Sequence, residues 1–249
     1  MKTYGLIGFP LTHSLSRLYL TEKFSKEGIN AEYLNFELPD ISDLWEMIAE
    51  QPDLKGFNVT IPYKEQIIGY LDKISDEARE IGAVNTVKVV NGLDGPVLCG
   101  YNTDAEGFWE AVRPVLRKDV SSAIILGSGG ASKAVTYALR KAGIDPLTVS
   151  RSKNKSSFTY EDLTPDIIRQ RPLIVNTTPL GTYPDVNTCP DIPYHDLTPM
   201  NICFDLVYNP AETLFLKKAA ERGTVTKNGL NMLHRQAEAS WRIWQSHDS

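Results

Sequence analysis

The sequence lacks most features that mark membrane, secreted or metal-binding proteins. Its three cysteines, Cys99, Cys189 and Cys203, are widely spaced and form no CxxC pair, so we expect no metal site and reduced thiols in a reducing compartment. No stretch approaches the roughly 18 apolar residues of a membrane span. The opening residues MKTYGLIGFP also lack the apolar core of a signal peptide. We therefore expect a cytoplasmic protein without membrane contact.

The sequence also lacks a large excess of charge of either sign. The formal net charge of the 249 residues is -5, and acidic and basic residues are interspersed. A nucleic-acid partner would require a basic stripe, which the sequence does not contain. A hydrophobic fraction of 42% is ordinary for a globular protein of one large or two modest domains. There is no internal repeat or low-complexity segment.

The first block of the chain alternates short apolar strands with amphipathic helices. This alternation predicts an α/β fold with a largely parallel sheet and helices on its faces. Strands are predicted at 3–8, 31–37, 56–61, 83–90 and 97–100, and helices at 15–27, 41–50 and 64–71.

A second α/β block begins with the helix that starts near Asp104, so we expect a crevice there. Apolar residues 123–126 predict a strand, followed by GSGGAS, a helix to Ala142 and a strand at 147–149. Two later strands are predicted at 173–176 and 202–205, and a final helix at 231–244.

The order strand, glycine-rich turn, helix is what a pyrophosphate site requires. The turn comprises Gly127, Ser128, Gly129, Gly130 and Ala131. Glycines let a phosphate approach the backbone, and the first N–H groups of the helix have no partner within the helix. The pattern is a variant of the dinucleotide fingerprint. The alternative is a tight turn that only packs a helix on a strand.

The end of the next strand bears on the choice of cofactor. NAD enzymes place an acid there, which accepts a hydrogen bond from the ribose 2′-OH. Here Ser150 and Arg151 end the strand, and Lys153 and Lys155 follow. A guanidinium binds a 2′-phosphate well, so the sequence favours NADP. The alternative is a solvated loop with scattered charges.

Three polar clusters precede the nucleotide unit. In the first, the hydroxyls of Ser14 and Ser16 could both bind one carboxylate, or either could cap the following helix. In the second, strand alternation places Asn58 and Thr60 on one face, and Lys64 begins a helix as either a proton donor or a surface lysine. In the third, Asp104 is either a helix cap or a carboxylate available to Lys64.

Taken in order, these segments resemble the shikimate dehydrogenase family. The matching motifs run from Gly5 to about Trp244, nearly the whole chain. They are GFPLTHSLS, FNVTIPYKE, GAVNT, YNTDAEG, GSGGASKA, NTTPLG, FDLVYNP and NGLNMLHRQA.

The resemblance implies reversible reduction of 3-dehydroshikimate to shikimate by NADPH, a step of chorismate and aromatic amino-acid biosynthesis. Lys64 and Asp104 match the family's catalytic pair. Matches to substrate-binding positions are Ser14, Ser16, Thr60, Asn85, Tyr208 and Gln236, with Asn58 on the same strand. Matches on the cofactor side are the glycine turn, Ser150, Arg151, Lys155, Asn176, Thr177, Thr178, Leu206 and Gly229.

The resemblance also implies two domains. Residues 1–103, completed by 229–249, would form the substrate domain, and 104–228 a Rossmann-type NADP domain. The cleft would close over both ligands. A monomer and a homodimer are both compatible with the sequence.

Several positions depart from the family pattern, none of them in the catalytic pair. Arg17 stands where proline is usual, and Glu212 begins a segment that is commonly Thr-Pro-Leu. Ser150 replaces an asparagine and Leu206 a methionine, which leaves the strictness of NADP use open. The alternatives are a quinate/shikimate dehydrogenase with dual cofactor use and a non-catalytic nucleotide-sensing module.

Overall fold

A computed structural model describes residues 1–11, 15–93, 95–154, 156 and 158–246. The chain divides into two compact units. The first comprises Met1–Thr103 and the segment from Gln236 onward, and the second is Asp104–Arg235.

The first unit contains a six-stranded sheet in the order β2-β1-β3-β5-β6-β4. In this sheet β5 is antiparallel to both β3 and β6, and the other five strands run parallel to one another. The prediction of a largely parallel sheet is therefore confirmed in this half. The Asn91-Gly92 turn reverses the chain between β5 and β6 and makes them a hairpin. The elements are β1 (Lys2–Gly8), α1 (Leu15–Glu27), β2 (Ala31–Glu37), α2 (Leu44–Ala49), β3 (Leu54–Val59), β4 (Lys73–Ile74), α3 (Asp76–Ile81), β5 (Thr86–Asn91) and β6 (Pro96–Tyr101).

Two helices of this unit differ from their predicted form. The predicted helix 41–50 is a 3-10 turn over Ile41–Asp43, capped by the Asp40 side chain, followed by the short α2. The predicted helix 64–71 is a turn followed by a 3-10 helix over Gln66–Tyr70. Lys64 therefore lies in a turn and does not begin a helix.

The second unit contains a sheet of six strands in the order β12-β11-β10-β7-β8-β9, all parallel. The strand order reverses between β7 and β10, which is the switch point where such sheets bind ligands. Its elements are α4 (Asp104–Val112), β7 (Ser122–Leu126), α5 (Gly130–Lys141), β8 (Asp145–Ser150), β9 (Phe158–Thr159), α6 (Pro165–Gln170), β10 (Leu173–Asn176), β11 (Ile202–Asp205), α7 (Leu214–Ala220), β12 (Val225–Lys227) and the start of α8 (Leu230–Gln245).

Beyond Gln236, helix α8 packs against the sheet of the first unit through aromatic rings. Trp244 stacks on Tyr4 with ring centroids 4.8 Å apart, and its indole N–H donates to Val87 O over 3.0 Å. Gly56 makes room for the indole, since a Cβ there would lie 2.3 Å from Trp244 Nε1. These contacts fix the end of the helix that carries Gln236.

Candidate functional site

The glycine turn of the second unit is closed against β8 and β10. Gly127 has φ +119°, a conformation that favours glycine, and its N–H donates to Val149 O over 2.8 Å. A Cβ at Gly127 would lie 2.5 Å from Thr177 Oγ1. The glycine is therefore required by both the backbone conformation and the close approach of the neighbouring loop.

The start of α5 is open, as a phosphate site requires. Gly129 is the N-cap of α5 and, having no side chain, makes no cap hydrogen bond to the first N–H groups of the helix. A Cβ at Gly129 would have no atom within 4 Å. The first helical residues, Gly130 and Ala131, are half-buried, as is Ser128. The turn thus combines a glycine N-cap with open space beside it, which fits a pyrophosphate group.

The end of β8 presents Arg151 to solvent. Ser150 is buried and bonds back to its own turn, because its hydroxyl donates to Ser152 O over 2.7 Å. Arg151 is exposed. Burial raises the pKa of Tyr160, and the charge of Arg151 opposes that shift, so the two side chains are within electrostatic range. Lys155, predicted to bind cofactor, lies outside the described residues.

The loop after β10 is held by a buried carboxylate. Asn176 donates through Nδ2 to Asp205 Oδ1 over 2.9 Å, and its Oδ1 accepts from Thr178 N and Thr178 Oγ1. Thr177 Oγ1 donates to Leu126 O over 2.7 Å. The three residues predicted beneath the cofactor thus form a rigid loop beside the glycine turn.

Asp205 is buried with three donors around it. Val207 N and Asn176 bond its Oδ1, and Thr213 Oγ1 donates to its Oδ2 over 2.5 Å. Burial raises the pKa of Asp205 from 3.8 to about 6, although the hydrogen bonds from Thr213, Val207 and Asn176 oppose the shift. The carboxylate therefore ties the loop after β10 to the loop after β11.

The chain after β11 passes against Gly229. A Cβ at Gly229 would lie 2.0 Å from Leu206 O, and Gly229 N donates to Val207 O. Tyr208 is half-buried, and burial raises the pKa of its phenol. Leu206, Tyr208 and Gly229, all predicted at the ligand site, thus share one region of the second unit.

In the first unit, predicted residues gather at the carboxyl ends of β1 and β3. Thr60 directly follows β3, and its N–H donates to Ile7 O at the end of β1. Lys64 is half-buried, and its carbonyl accepts from Val84 N over 2.7 Å, one residue before Asn85. This bond holds Lys64 next to the segment of Asn85, and Val59 N, one residue before Thr60, donates to Asn85 O over 2.8 Å.

Ser16 is the second residue of α1 and half-buried, so it is not the residue that caps this helix. Ser14, the other predicted carboxylate ligand, lies outside the described residues.

Hydrogen bonds fix the orientation of the side-chain amides of Asn85 and Gln236, so the oxygen and nitrogen ends of each can be assigned. Thr103 N donates to Asn85 Oδ1 over 2.7 Å, and a main-chain N–H can only donate. The other end of the Asn85 amide, Nδ2, therefore donates to Gln236 Oε1 over 3.1 Å. Gln236 uses its carbonyl oxygen on Asn85, so Nε2 is the end of its amide left for another acceptor.

Asn58 is bonded by the protein at both ends of its amide. Its Oδ1 accepts from Tyr33 Oη over 2.9 Å. Its Nδ2 lies 2.9 Å from Ser240 Oγ and 3.1 Å from both Asn85 O and Thr86 Oγ1. These contacts place Asn58 behind Asn85 in the sheet.

Asp104 is the first residue of α4 and is almost fully buried. A carboxylate in the first turn is favourable for the helix dipole. It directly follows Thr103, the residue that orients Asn85.

The comparisons with known proteins agree with one another. Residues 6–87 match the model of the shikimate dehydrogenase substrate binding domain. A shikimate dehydrogenase (NADP(+)) of Caldanaerobacter subterraneus subsp. tengcongensis is 37% identical over 98% of this chain and 91% of the relative. The crystal structure of shikimate dehydrogenase from Aquifex aeolicus has a TM-score of 0.87 at 35% identity, covering 100% of this chain and 94% of that one. The chain belongs to the shikimate dehydrogenase family.

A second solved member of the family was crystallised with both ligands. The shikimate 5-dehydrogenase of Thermus thermophilus, in complex with NADP(H) and shikimate, has a TM-score of 0.86 at 32% identity, covering 98% of this chain and 94% of that one. The family and the α/β fold with a Rossmann-type sheet predicted from the motifs are thereby confirmed.

Sequence reasoning missed three polar residues of this family member that organise its sites. Asp205 was visible within FDLVYNP, but only the fold shows that it is buried between two loops. Thr213 lies in the segment that departs from the family pattern, and it both bonds Asp205 and caps α7. Ser240 has no local signal, since it lies on α8 far from its partners in sequence.

Two further features are absent from the part of the chain that the structure describes. None of its helices has the length and apolar character needed to cross a membrane. No group of three or more His, Cys, Asp or Glu side chains there is arranged to hold a metal ion.

Proposed function

We propose that the chain catalyses the reversible, NADP-dependent reduction of 3-dehydroshikimate to shikimate, in chorismate and aromatic amino-acid biosynthesis. The observation that carries this proposal is the oriented amide pair Asn85–Gln236 in the same unit as Thr60 and Lys64. Oriented amides and hydroxyls of this kind suit a small ring with several hydroxyl groups, because each hydroxyl both donates and accepts.

Lys64 is the proton donor in this proposal. The ketone oxygen of 3-dehydroshikimate gains negative charge as hydride arrives, and an ammonium stabilises that charge and supplies the proton. Asp104 is the second catalytic residue, and its carboxylate accepts a hydrogen bond from a substrate hydroxyl. When bound, NADPH supplies the hydride.

The substrate ligands we propose are polar groups of defined direction. Gln236 donates through Nε2, because its oxygen is used by Asn85. Ser14 and Ser16 bind the carboxylate, Thr60 and Asn85 bind ring hydroxyls, and Tyr208 lies near the ring. We assign Asn58, whose amide is bonded to Tyr33, Ser240 and the carbonyl of Asn85, to the support of Asn85.

The cofactor residues belong to the second unit. The N–H groups of Gly129, Gly130 and Ala131 would hold the pyrophosphate, and Arg151 with Lys155 the 2′-phosphate. The open space beside Gly129 and the exposure of Arg151 support this assignment. The remaining residues assigned to the cofactor are Gly127, Ser128, Ser150, Asn176, Thr177, Thr178, Leu206 and Gly229.

We assign the substrate ligands other than Tyr208 to the first unit and NADP binding to the second. A cytoplasmic location is part of the proposal and agrees with the free thiols of Cys99, Cys189 and Cys203. As a monomer or a homodimer, the protein needs no nucleic acid or membrane for this chemistry.

The test is the reduction of NADP+ by purified protein with shikimate as the substrate. We expect saturable formation of NADPH that depends on shikimate, and formation of shikimate in the reverse direction. A folded protein that binds NADP+ and turns over no shikimate would contradict the proposal and favour a nucleotide-sensing module.

A further inference from the structure

Ser240 lies at a buried junction of four elements of the first unit. Its side chain is fully buried. The hydroxyl oxygen lies 2.9 Å from Asn58 Nδ2 at the end of β3 and 2.8 Å from Thr86 Oγ1 in β5. It also lies 3.2 Å from Thr103 Oγ1, two residues after β6. One hydroxyl of α8 thus meets three segments that surround Asn85.

The same hydroxyl bonds the turn of α8 that carries Gln236. Ser240 Oγ donates to Gln236 O over 2.9 Å. With its proton used there, Ser240 accepts from Asn58 Nδ2. The carbonyl of Gln236 can only accept and Asn58 Nδ2 can only donate, so the directions of these two bonds are fixed.

We propose that Ser240 is a positioning residue, which sets the distance between Gln236 and Asn85 and so tunes the affinity for the substrate. Because Asn85 and Gln236 are assigned to substrate, this role rests on the proposed function. Ser240 acts through other residues and touches neither ligand in this account. Loss of its hydroxyl moves Gln236 relative to Asn85, since it removes the bonds that join this turn of α8 to β3 and β5.

Other contacts hold α8 in place when the hydroxyl of Ser240 is removed. Trp244 Nε1 donates to Val87 O, and Gln245 Nε2 donates to Tyr4 Oη over 3.1 Å. Lys88 Nζ donates to Ser246 O over 2.6 Å at the end of the helix. Tyr19 Oη donates to Glu238 Oε1 over 2.7 Å. We therefore expect Ser240→Ala to fold.

Trp244→Phe is the matched control. It removes the bond to Val87 O from the same helix, two turns beyond Gln236, and leaves the network around Ser240 intact. Both variants lower the midpoint of thermal unfolding. If Ser240 positions Gln236, Ser240→Ala raises the KM for shikimate and Trp244→Phe does not.

The experiment compares kcat, KM for shikimate and KM for NADP+ in the wild type and both variants. We expect Ser240→Ala to raise KM for shikimate by about threefold to tenfold, the change that follows from loss of one hydrogen bond. In Ser240→Ala, the KM for NADP+ stays within about twofold of the wild-type value. In Trp244→Phe, the KM values for shikimate and for NADP+ both stay within about twofold of wild type. A shikimate KM that is unchanged in Ser240→Ala, or raised equally in Trp244→Phe, overturns the proposal.

A crystal structure of Ser240→Ala gives a second readout, which does not depend on turnover. We expect the distance from Asn85 Nδ2 to Gln236 Oε1 to lengthen from 3.1 Å to beyond about 3.5 Å. An unchanged distance overturns the role of Ser240. A wild type that turns over no shikimate contradicts the proposed function instead, so the two failures are distinguishable.

Discussion

Asn85 Nδ2 lies 3.1 Å from Gln236 Oε1, although the two residues are 151 positions apart in the chain. This bond joins the segment before β5 to the C-terminal helix. Its direction follows from Thr103 N, which donates to Asn85 Oδ1. Two proposed ligands of the substrate are therefore oriented by a single main-chain donor.

Lys64 carries the proton transfer in our account. We expect Lys64→Ala to lower kcat by at least about 10²–10⁴-fold, the usual contribution of a positioned general acid. The affinity for NADPH stays nearly unchanged, because Lys64 belongs to the substrate site. Steady-state kinetics and a direct NADPH titration check this. Lys73→Ala, which removes an exposed lysine of the same unit, is the control, and a near-normal kcat in Lys64→Ala would contradict the assignment.

Substitutions of Gly129 and Gly127 distinguish an effect on cofactor binding from an effect on the stability of the fold. Gly129→Ala places its methyl in open space at an allowed backbone conformation, so stability is retained while the approach of a phosphate is hindered. Gly127→Ala is strained by φ +119° and by Thr177, so it lowers stability as well. Thermal unfolding and KM for NADP+ measure the two effects. Unchanged KM for NADP+ in Gly129→Ala would show that no phosphate lies on this turn.

Arg151 sets the preference for NADP in our account. Arg151→Ala removes a charge-assisted hydrogen bond, typically about 1.5–3 kcal/mol, so KM for NADP+ rises by about tenfold or more. KM for NAD+, which has no 2′-phosphate, stays the same. Arg169→Ala is the control, because Arg169 is an exposed arginine of the same unit, paired with Asp166. Equal changes for both cofactors would place the 2′-phosphate elsewhere.

Asp205 makes stability depend on pH. Its pKa is raised by burial from 3.8 to about 6 in the folded protein, so the folded state binds the proton more tightly. That stabilisation is complete below about pH 4 and is lost as pH rises through about 6. Asp205→Asn cannot titrate, and Thr213 can accept from its amide.

Urea unfolding at several pH values measures this effect. We expect the unfolding free energy of the wild type, relative to Asp205→Asn, to fall by about 2 kcal/mol between pH 4 and pH 7. If the unfolding free energies of the wild type and Asp205→Asn change by the same amount across this pH range, the effect of burial on the pKa of Asp205 is contradicted.

The sequence predicted best where the signal is local. The glycine turn at Gly127 and strands β10 and β11 were located correctly, because each depends on neighbouring residues. The signals of Thr164-Pro165 and Thr213, an N-cap followed by a short helix, went unused, so α6 and α7 were missed.

Long-range bonds could not be predicted in this way. Strand alternation predicts Asn58 and Thr60 on one face. It does not predict the bonds of Asn58 to Tyr33 and Ser240, which lie 25 and 182 positions away. The error at Lys64 has a different cause. The apolar spacing after Pro62 resembles a helix, yet the main-chain bond from Val84 N to Lys64 O holds this segment in a turn.

A comparison of initial rates with shikimate and quinate, each with NADP+ and NAD+, tests the proposed reaction directly. We predict that shikimate with NADP+ gives the highest kcat/KM of the four pairs. A highest kcat/KM for quinate with NAD+ would favour the enzyme of dual cofactor use. Absence of turnover with all four pairs, in protein that still binds NADP+, would contradict the catalytic function itself.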